Sequence, residues 1–79
     1  MTVEEAKREL KHLRMVQDDD ETARIRIRRL GQPYREVLIY RYECAMSWKQ
    51  VADKMEYSTD HLRGYMNKKA IEKYAGADQ

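Results

Sequence analysis

Residues able to form hydrogen bonds with nucleic-acid bases gather on one side of the last long helix that the sequence predicts. They are Asp60, Arg63, Gly64 and Asn67, flanked by Thr59, His61 and Lys68. Arginine can form two hydrogen bonds with guanine, asparagine two with adenine, and aspartate can accept one from cytosine, while threonine reaches base edges or phosphates. Gly64 weakens a helix by about 1 kcal/mol relative to alanine, which indicates either close approach of another molecule or a tolerated exposed glycine. The set suits contact with duplex DNA.

The sequence predicts two helices with N-terminal caps, and these helices position the residues named above. Ser47 and Gln50 match the Ser-x-x-Gln capping box, and Ser58 is a second N-cap with Asp60 in the first turn, where a carboxylate complements the helix dipole. Apolar residues follow each cap at helical spacing, and they are Trp48, Val51, Ala52 and Met55, then Leu62, Tyr65, Met66, Ala70 and Tyr74. The short connection from Glu56 to Ser58 forces a steep crossing, which predicts a helix-turn-helix over 47–69. An ordinary helical hairpin in a small bundle is the alternative.

The N-terminal segment, residues 1–17, is predicted to form an amphipathic helix ending near Val16. Thr2-x-x-Glu5 matches a capping box, and an apolar stripe follows it, made of Val3, Ala6, Leu10 and Leu13. Two heptads are too few to hold a free coiled coil. The stripe suits packing on the rest of the chain, docking on a partner, or a homodimer.

Residues 18–79 are assigned to the helix-turn-helix domain. The acidic run Asp18–Glu21 is placed to cap the next helix. Residues 24–28 alternate with period two, which favours a strand, but Ala23, Ile27 and Leu30 also fit a helical face and Gly31 suits a helix end. We therefore predict a helix there, and another that begins with Pro33 as its first residue. Its apolar face contains Tyr34, Val37, Leu38, Tyr42 and Ala45. The expected fold is all-α, a small bundle of four to five helices.

Composition limits the function classes. A chain of 79 residues has room for one domain. Cys44 is the only cysteine, which indicates a reducing compartment, and His12 and His61 lack companion ligands, so we expect no metal and no cofactor. Neither a membrane span nor a signal peptide is predicted, which indicates a soluble, cytoplasmic protein. No catalytic arrangement of residues is found, so an enzyme is the least expected class.

Positive charge is concentrated upstream of the motif although the net charge is only +2. Residues 24–44 hold two glutamates and six arginines, which are Arg24, Arg26, Arg28, Arg29, Arg35 and Arg41. Such a segment could follow a phosphate backbone, or it could form ordinary solvated helix faces. Because the pI is only 8.7, we expect modest affinity for isolated DNA and a need for a partner.

Two stretches of the chain resemble region 4 of the sigma-70 family factors. They are Pro33-Tyr34-Arg35-Glu36-Val37-Leu38 with Arg41-Tyr42, and Ser47-Trp48-x-x-Val51-Ala52-x-x-Met55-x-Tyr57-Ser58. The resemblance covers residues 30–74 and is greatest to the small sigma-like regulators of phages of Gram-positive bacteria, the ArpU and RinA kind. Two departures concern length and backbone: the family has glycine at the position of Glu56, and residues 68–71 lie one residue further from Ser58 than the family pattern.

The resemblance implies a four-helix domain whose helix-turn-helix recognises promoter DNA, with RNA polymerase as a second partner. It places Ser58, Thr59, Asp60, His61 and Arg63 at the start of the recognition helix. Lys49 and Gln50 would then lie near the phosphates. Sigma factors often have arginines at the recognition positions where this chain has Thr, Asp and His, so the target sequence does not carry over.

The leading hypothesis is a sequence-specific DNA-binding transcriptional regulator of phage or prophage type, acting with or on RNA polymerase. Two alternatives remain open. One is an interaction module that binds a host protein, such as polymerase or a defence component, without DNA. The other is a recognition protein for DNA packaging that is similar to small terminase subunits of phages.

Overall fold

The computed structural model describes residues 1–16 and 21–76, and it confirms the predicted all-α bundle. The described residues form five helices and no strand. They are α1 (Val3–Val16), α2 (Glu21–Arg28), α3 (Tyr34–Leu38, continued by a π-helical segment Ile39–Glu43), α4 (Trp48–Met55) and α5, whose three parts are Thr59–His61, the π-helical Leu62–Met66 and Asn67–Gly76. The acidic residues 18–20, predicted to cap α2, lie outside the described residues.

Helix α1 belongs to the same core as the other helices. Its Thr2–Glu5 capping box forms as predicted, with the Glu5 amide donating to the Thr2 hydroxyl at 3.1 Å. Ala6, Leu10 and Leu13 are buried against α5 and the π-helical part of α3. Three of the four stripe residues are therefore buried within the chain, whereas Val3 is 39% exposed, and a homodimer through α1 would have to use its exposed sides.

Helix α2 confirms the helical interpretation of the alternating segment. Ala23 and Ile27 are fully buried while Ile25 is 49% exposed, so the apolar residues do not share one face as they would in a strand. The Glu43 carboxylate forms ion pairs with two arginines of α2, with nitrogen–oxygen distances of 2.6 Å to Arg28 and 3.5 Å to Arg24. These arginines hold α2 against the end of α3.

Helix α3 begins one residue later than predicted. Pro33 is the N-cap, after a cis peptide bond from Gln32, and the helix starts at Tyr34. Pro33 has a ψ of 1° and therefore lies outside the helix proper. Its carbonyl accepts the first hydrogen bond of the helix, from the Val37 amide at 3.2 Å. Val37, Leu38 and Tyr42 are buried as predicted. Ala45 lies beyond the helix, in a left-handed conformation with φ 55° that redirects the chain toward α4.

Among the described helices, none has both the length and the apolar character that crossing a bilayer requires.

Candidate nucleic-acid interface

Local hydrogen bonds fix the start of α4 and of α5. In the capping box of α4, the Ser47 amide donates to Gln50 Oε1 at 2.9 Å and the Gln50 amide donates to Ser47 Oγ at 3.2 Å. At α5, the His61 amide donates to Ser58 Oγ at 3.1 Å. Both predicted caps are confirmed. Because the two serine hydroxyls accept these bonds, their main contribution is to hold the backbone of each first turn.

The corner between α4 and α5 depends on one left-handed residue. Glu56 has φ 60° and ψ 36°, and its amide donates to the Ala52 carbonyl at 2.8 Å. A non-glycine residue in this region costs about 1–2 kcal/mol. The corner lets Val51 and Ala52 of α4 pack with Leu62 and other apolar residues of α5, which are buried together.

A widened turn in α5 changes which residues face the core. The Asn67 amide donates to the carbonyl of Leu62, five residues earlier, so this turn holds one residue more than an α-helical turn. Leu62, Met66 and Ala70 are buried as predicted, but Tyr65 is 51% exposed. The prediction that Tyr65 joins the apolar stripe is wrong, because it assumed regular α-helical spacing.

Most of the predicted contact residues face solvent. The exposed ones are Lys49, Gln50, Ser58, Asp60, His61, Arg63, Gly64 and Lys68, while Thr59 and Asn67 are half-buried. At Gly64 an added Cβ would meet nothing within 4 Å, so the fold itself does not require glycine there. The start of α5 is thus an exposed polar surface on a rigidly capped helix.

Asn67 differs from the prediction because it is tied to another helix. The Tyr42 hydroxyl donates to Asn67 Oδ1 at 2.9 Å. Pairing with adenine needs both the oxygen and the amide group of asparagine, and this bond engages the oxygen. In this structure Asn67 therefore holds α5 against α3, and one of the two acceptor positions of its oxygen is already used.

An aromatic column runs along the exposed side of α5. The rings of Tyr57 and His61 have centroids 5.6 Å apart, and those of His61 and Tyr65 lie 5.3 Å apart with an interplanar angle of 18°. The residues are spaced by four, a signal that sequence reasoning missed because Tyr65 was assigned to the core. The column orients His61 and gives the surface flat apolar faces beside its polar groups.

Basic side chains from α1 lie next to α5. A groove of about 400 Å³ has Lys7 on one wall and Arg63, Asn67 and Lys68 on the other, together with one carboxylate, that of Glu72. A second cavity of about 280 Å³ lies between Lys11, Arg14, Met15, Arg41 and Tyr42. We call the six basic residues of these two cavities the cationic groove, and they are Lys7, Lys11, Arg14, Arg41, Arg63 and Lys68. The contribution of α1 was not predicted, since it depends on how distant segments of the chain pack.

Arg41 occupies the centre of this charge distribution. Its guanidinium lies 4.5 Å from the centre of the Trp48 ring and donates to the Met46 carbonyl at 3.0 Å. Burial lowers the pKa of Arg41, and the neighbouring charges of Arg14 and Arg63 lower it further. An arginine remains protonated at neutral pH in spite of this, so the positive charges stay close together.

Four other arginines of the basic segment 24–44 have carboxylate partners. Arg24 and Arg28 bind Glu43, Arg26 binds Glu9 at 2.7 Å, and Arg35 lies 3.5 Å from Glu36. The prediction that this segment follows a phosphate backbone therefore fits these four residues poorly, because three glutamates, two of them within the segment, offset much of their charge.

Within residues 1–16 and 21–76, no group of three or more His, Cys, Asp or Glu side chains could hold a metal ion. No protein family model, curated protein or solved structure matches this chain.

Proposed function

We propose that the protein binds duplex DNA through α4 and α5, which act as a helix-turn-helix, and regulates transcription with or on RNA polymerase in the manner of phage and prophage regulators. Such a protein would work in the cytoplasm, where polymerase and DNA are found. The observation that carries the proposal is the capped start of α5, which presents Asp60, His61 and Arg63 to solvent directly after the left-handed corner at Glu56.

The chemistry of this surface favours DNA. Arg63 is exposed and can form two hydrogen bonds with a guanine edge or bind a phosphate. Lys49 on α4 and Lys68 on α5 are also exposed, which suits contacts to the DNA backbone. In this arrangement Asp60 can accept from cytosine, and the aromatic column can contact thymine methyl groups.

An affinity measurement on duplex fragments tests the proposal. Fluorescence anisotropy with labelled promoter fragments from phage genomes should show binding that weakens as salt rises, since released counterions drive it. Arg63→Ala should weaken binding by about 5- to 150-fold, the range of about 1–3 kcal/mol expected for an arginine at a base. Arg8→Ala is the matched control, because Arg8 is exposed and lies on the other side of α1. Binding that ignores both salt and Arg63→Ala would refute the proposal.

The aromatic column favours a second candidate, an interaction module that binds a host protein without DNA. Exposed tyrosines in a cluster are typical of the central residues of protein interfaces. The net charge of +2 is compatible with such a partner. One stoichiometric host protein that is retained by the wild type and lost with Tyr65→Ala, together with no mobility shift of any duplex, would support this function over DNA binding.

A further inference from the structure

Helix α1 carries its charges on two separate sides. Lys7, Lys11 and Arg14 are spaced by four and three residues, so they share one side of the helix, next to the buried stripe. The opposite side carries Glu5, Arg8, Glu9 and His12, which line a different surface depression. There Glu9 accepts hydrogen bonds from Arg26 and from the Tyr74 hydroxyl. On this side Glu9 thus binds α2 and α5, whereas the basic side, formed by Lys7, Lys11 and Arg14, faces the cationic groove.

On the basic side, Lys7 pairs with Glu4 at 3.9 Å, whereas Lys11 and Arg14 border a cavity without a carboxylate. The cavity between α1 and α3 is lined by Lys11, Arg14 and Arg41, and no carboxylate is among its lining residues. The Nε atoms of Arg14 and Arg41 are buried and have no hydrogen-bond partner among the described residues. Buried donors in native proteins are nearly always paired, so these two unpartnered Nε atoms indicate that an acceptor binds in this cavity.

The position of the cavity relative to α5 identifies the acceptor. Tyr42 lines this cavity and binds Asn67, which lines the neighbouring groove with Lys7, Arg63 and Lys68. The two cavities are therefore adjacent, and the basic residues continue from Arg14 to the exposed surface of α5. A phosphate chain that contacts α5 would meet this row of charges next, and the planar guanidinium group matches the oxygens of a phosphate.

We propose that the cavity between α1 and α3 binds a phosphate group of the DNA backbone through Lys11, Arg14 and Arg41, so that α1 is part of the DNA-binding surface. This assignment rests on the proposed function, because the phosphate belongs to the same duplex that α5 contacts. The site contacts no base, so it contributes affinity and orientation equally for every sequence.

The test compares the salt dependence of duplex binding in charge-matched variants. The logarithm of the affinity falls linearly with the logarithm of the salt concentration, and each lost phosphate contact should make this slope less steep by about 0.9. Because the site binds one phosphate, we expect Arg14→Gln and Lys11→Gln each to reduce the magnitude of the slope by up to about 0.9, and by the same amount on promoter and unrelated duplexes. Arg8→Gln removes the same charge from the other side of α1 and should leave the slope unchanged. Circular dichroism spectra of the variants check that each remains folded. Because Lys11 is exposed, its substitution should not disturb the fold.

The outcomes separate this site from the function on which it rests. In one outcome, Arg63→Ala weakens duplex binding but Arg14→Gln, Lys11→Gln and Arg8→Gln all keep the salt slope of the wild type. This result would overturn the phosphate site and leave the DNA-binding function standing. Failure of the wild type to bind any duplex at low salt would overturn both. A slope reduced by the two groove variants alone supports the site.

Discussion

The left-handed corner at Glu56 leads to a prediction about stability. A residue with a Cβ costs about 1–2 kcal/mol in this conformation, and glycine avoids that cost. Glycine also gives the unfolded chain more freedom, which offsets about 0.5–1 kcal/mol of the gain. We therefore expect Glu56→Gly to raise the free energy of unfolding by about 0.5–1 kcal/mol, with a rise in Tm of about 2–8 °C for a domain of this size.

The matched control is Glu56→Ala. Both variants remove a carboxylate from the C-terminal end of α4, where a negative charge is unfavourable, and only glycine removes the Cβ. The assay is urea unfolding at neutral pH, followed by circular dichroism, with the two variants compared at the same protein concentration. Glu56→Gly should be the more stable of the two. If it is equal to or less stable than Glu56→Ala, the residue does not hold a left-handed conformation in the folded protein, and the corner that orients α5 has been misassigned.

Two further predictions concern the core. Leu10→Ala should lower the free energy of unfolding by about 2–5 kcal/mol, because Leu10 is fully buried. Met15→Ala, on the exposed side of the same helix, should have little effect in the same urea assay. Equal effects of the two substitutions would mean that α1 is not part of the core. Burial and the hydrogen bond with Glu9 raise the pKa of Tyr74. As pH rises, the unfolded chain therefore loses the Tyr74 proton before the folded protein does. The contribution of Tyr74 to the free energy of unfolding is complete below about pH 10 and is lost as pH rises further. In a pH series of unfolding measurements, Tyr74→Phe should reduce that alkaline loss relative to wild type and to Tyr65→Phe, and an identical loss in all three proteins would contradict the assigned cause.

Local patterns predicted the elements of this fold well. The capping boxes at Thr2 and Ser47 and the cap at Ser58 depend on neighbouring residues only, and all three form. The helix over residues 24–28 was also predictable, since Ala23 and Ile27 fit a helical face and no second strand was at hand to pair with. Such features are encoded within a few residues of each other.

The candidate site was less predictable, because it depends on contacts between distant segments. Nothing local indicates that Tyr42 binds Asn67 or that Glu43 pairs with two arginines of α2. The exposed position of Tyr65 follows from one wide helical turn, which an apolar pattern with regular spacing cannot reveal. The basic side of α1 was visible in the sequence, but its position beside Arg41 and Arg63 follows only from the packing of α1 on α5.

The wide turn in α5 separates two requirements that a single regular helix would have to meet together. Residues after Asn67 must keep Ala70 and Tyr74 in the interior, while those before Leu62 must aim their polar groups outward. Because one residue more or fewer in this turn rotates the first part of the helix against the second by about a quarter of a revolution, related chains could acquire a new binding preference through a single insertion or deletion while their interiors stay the same.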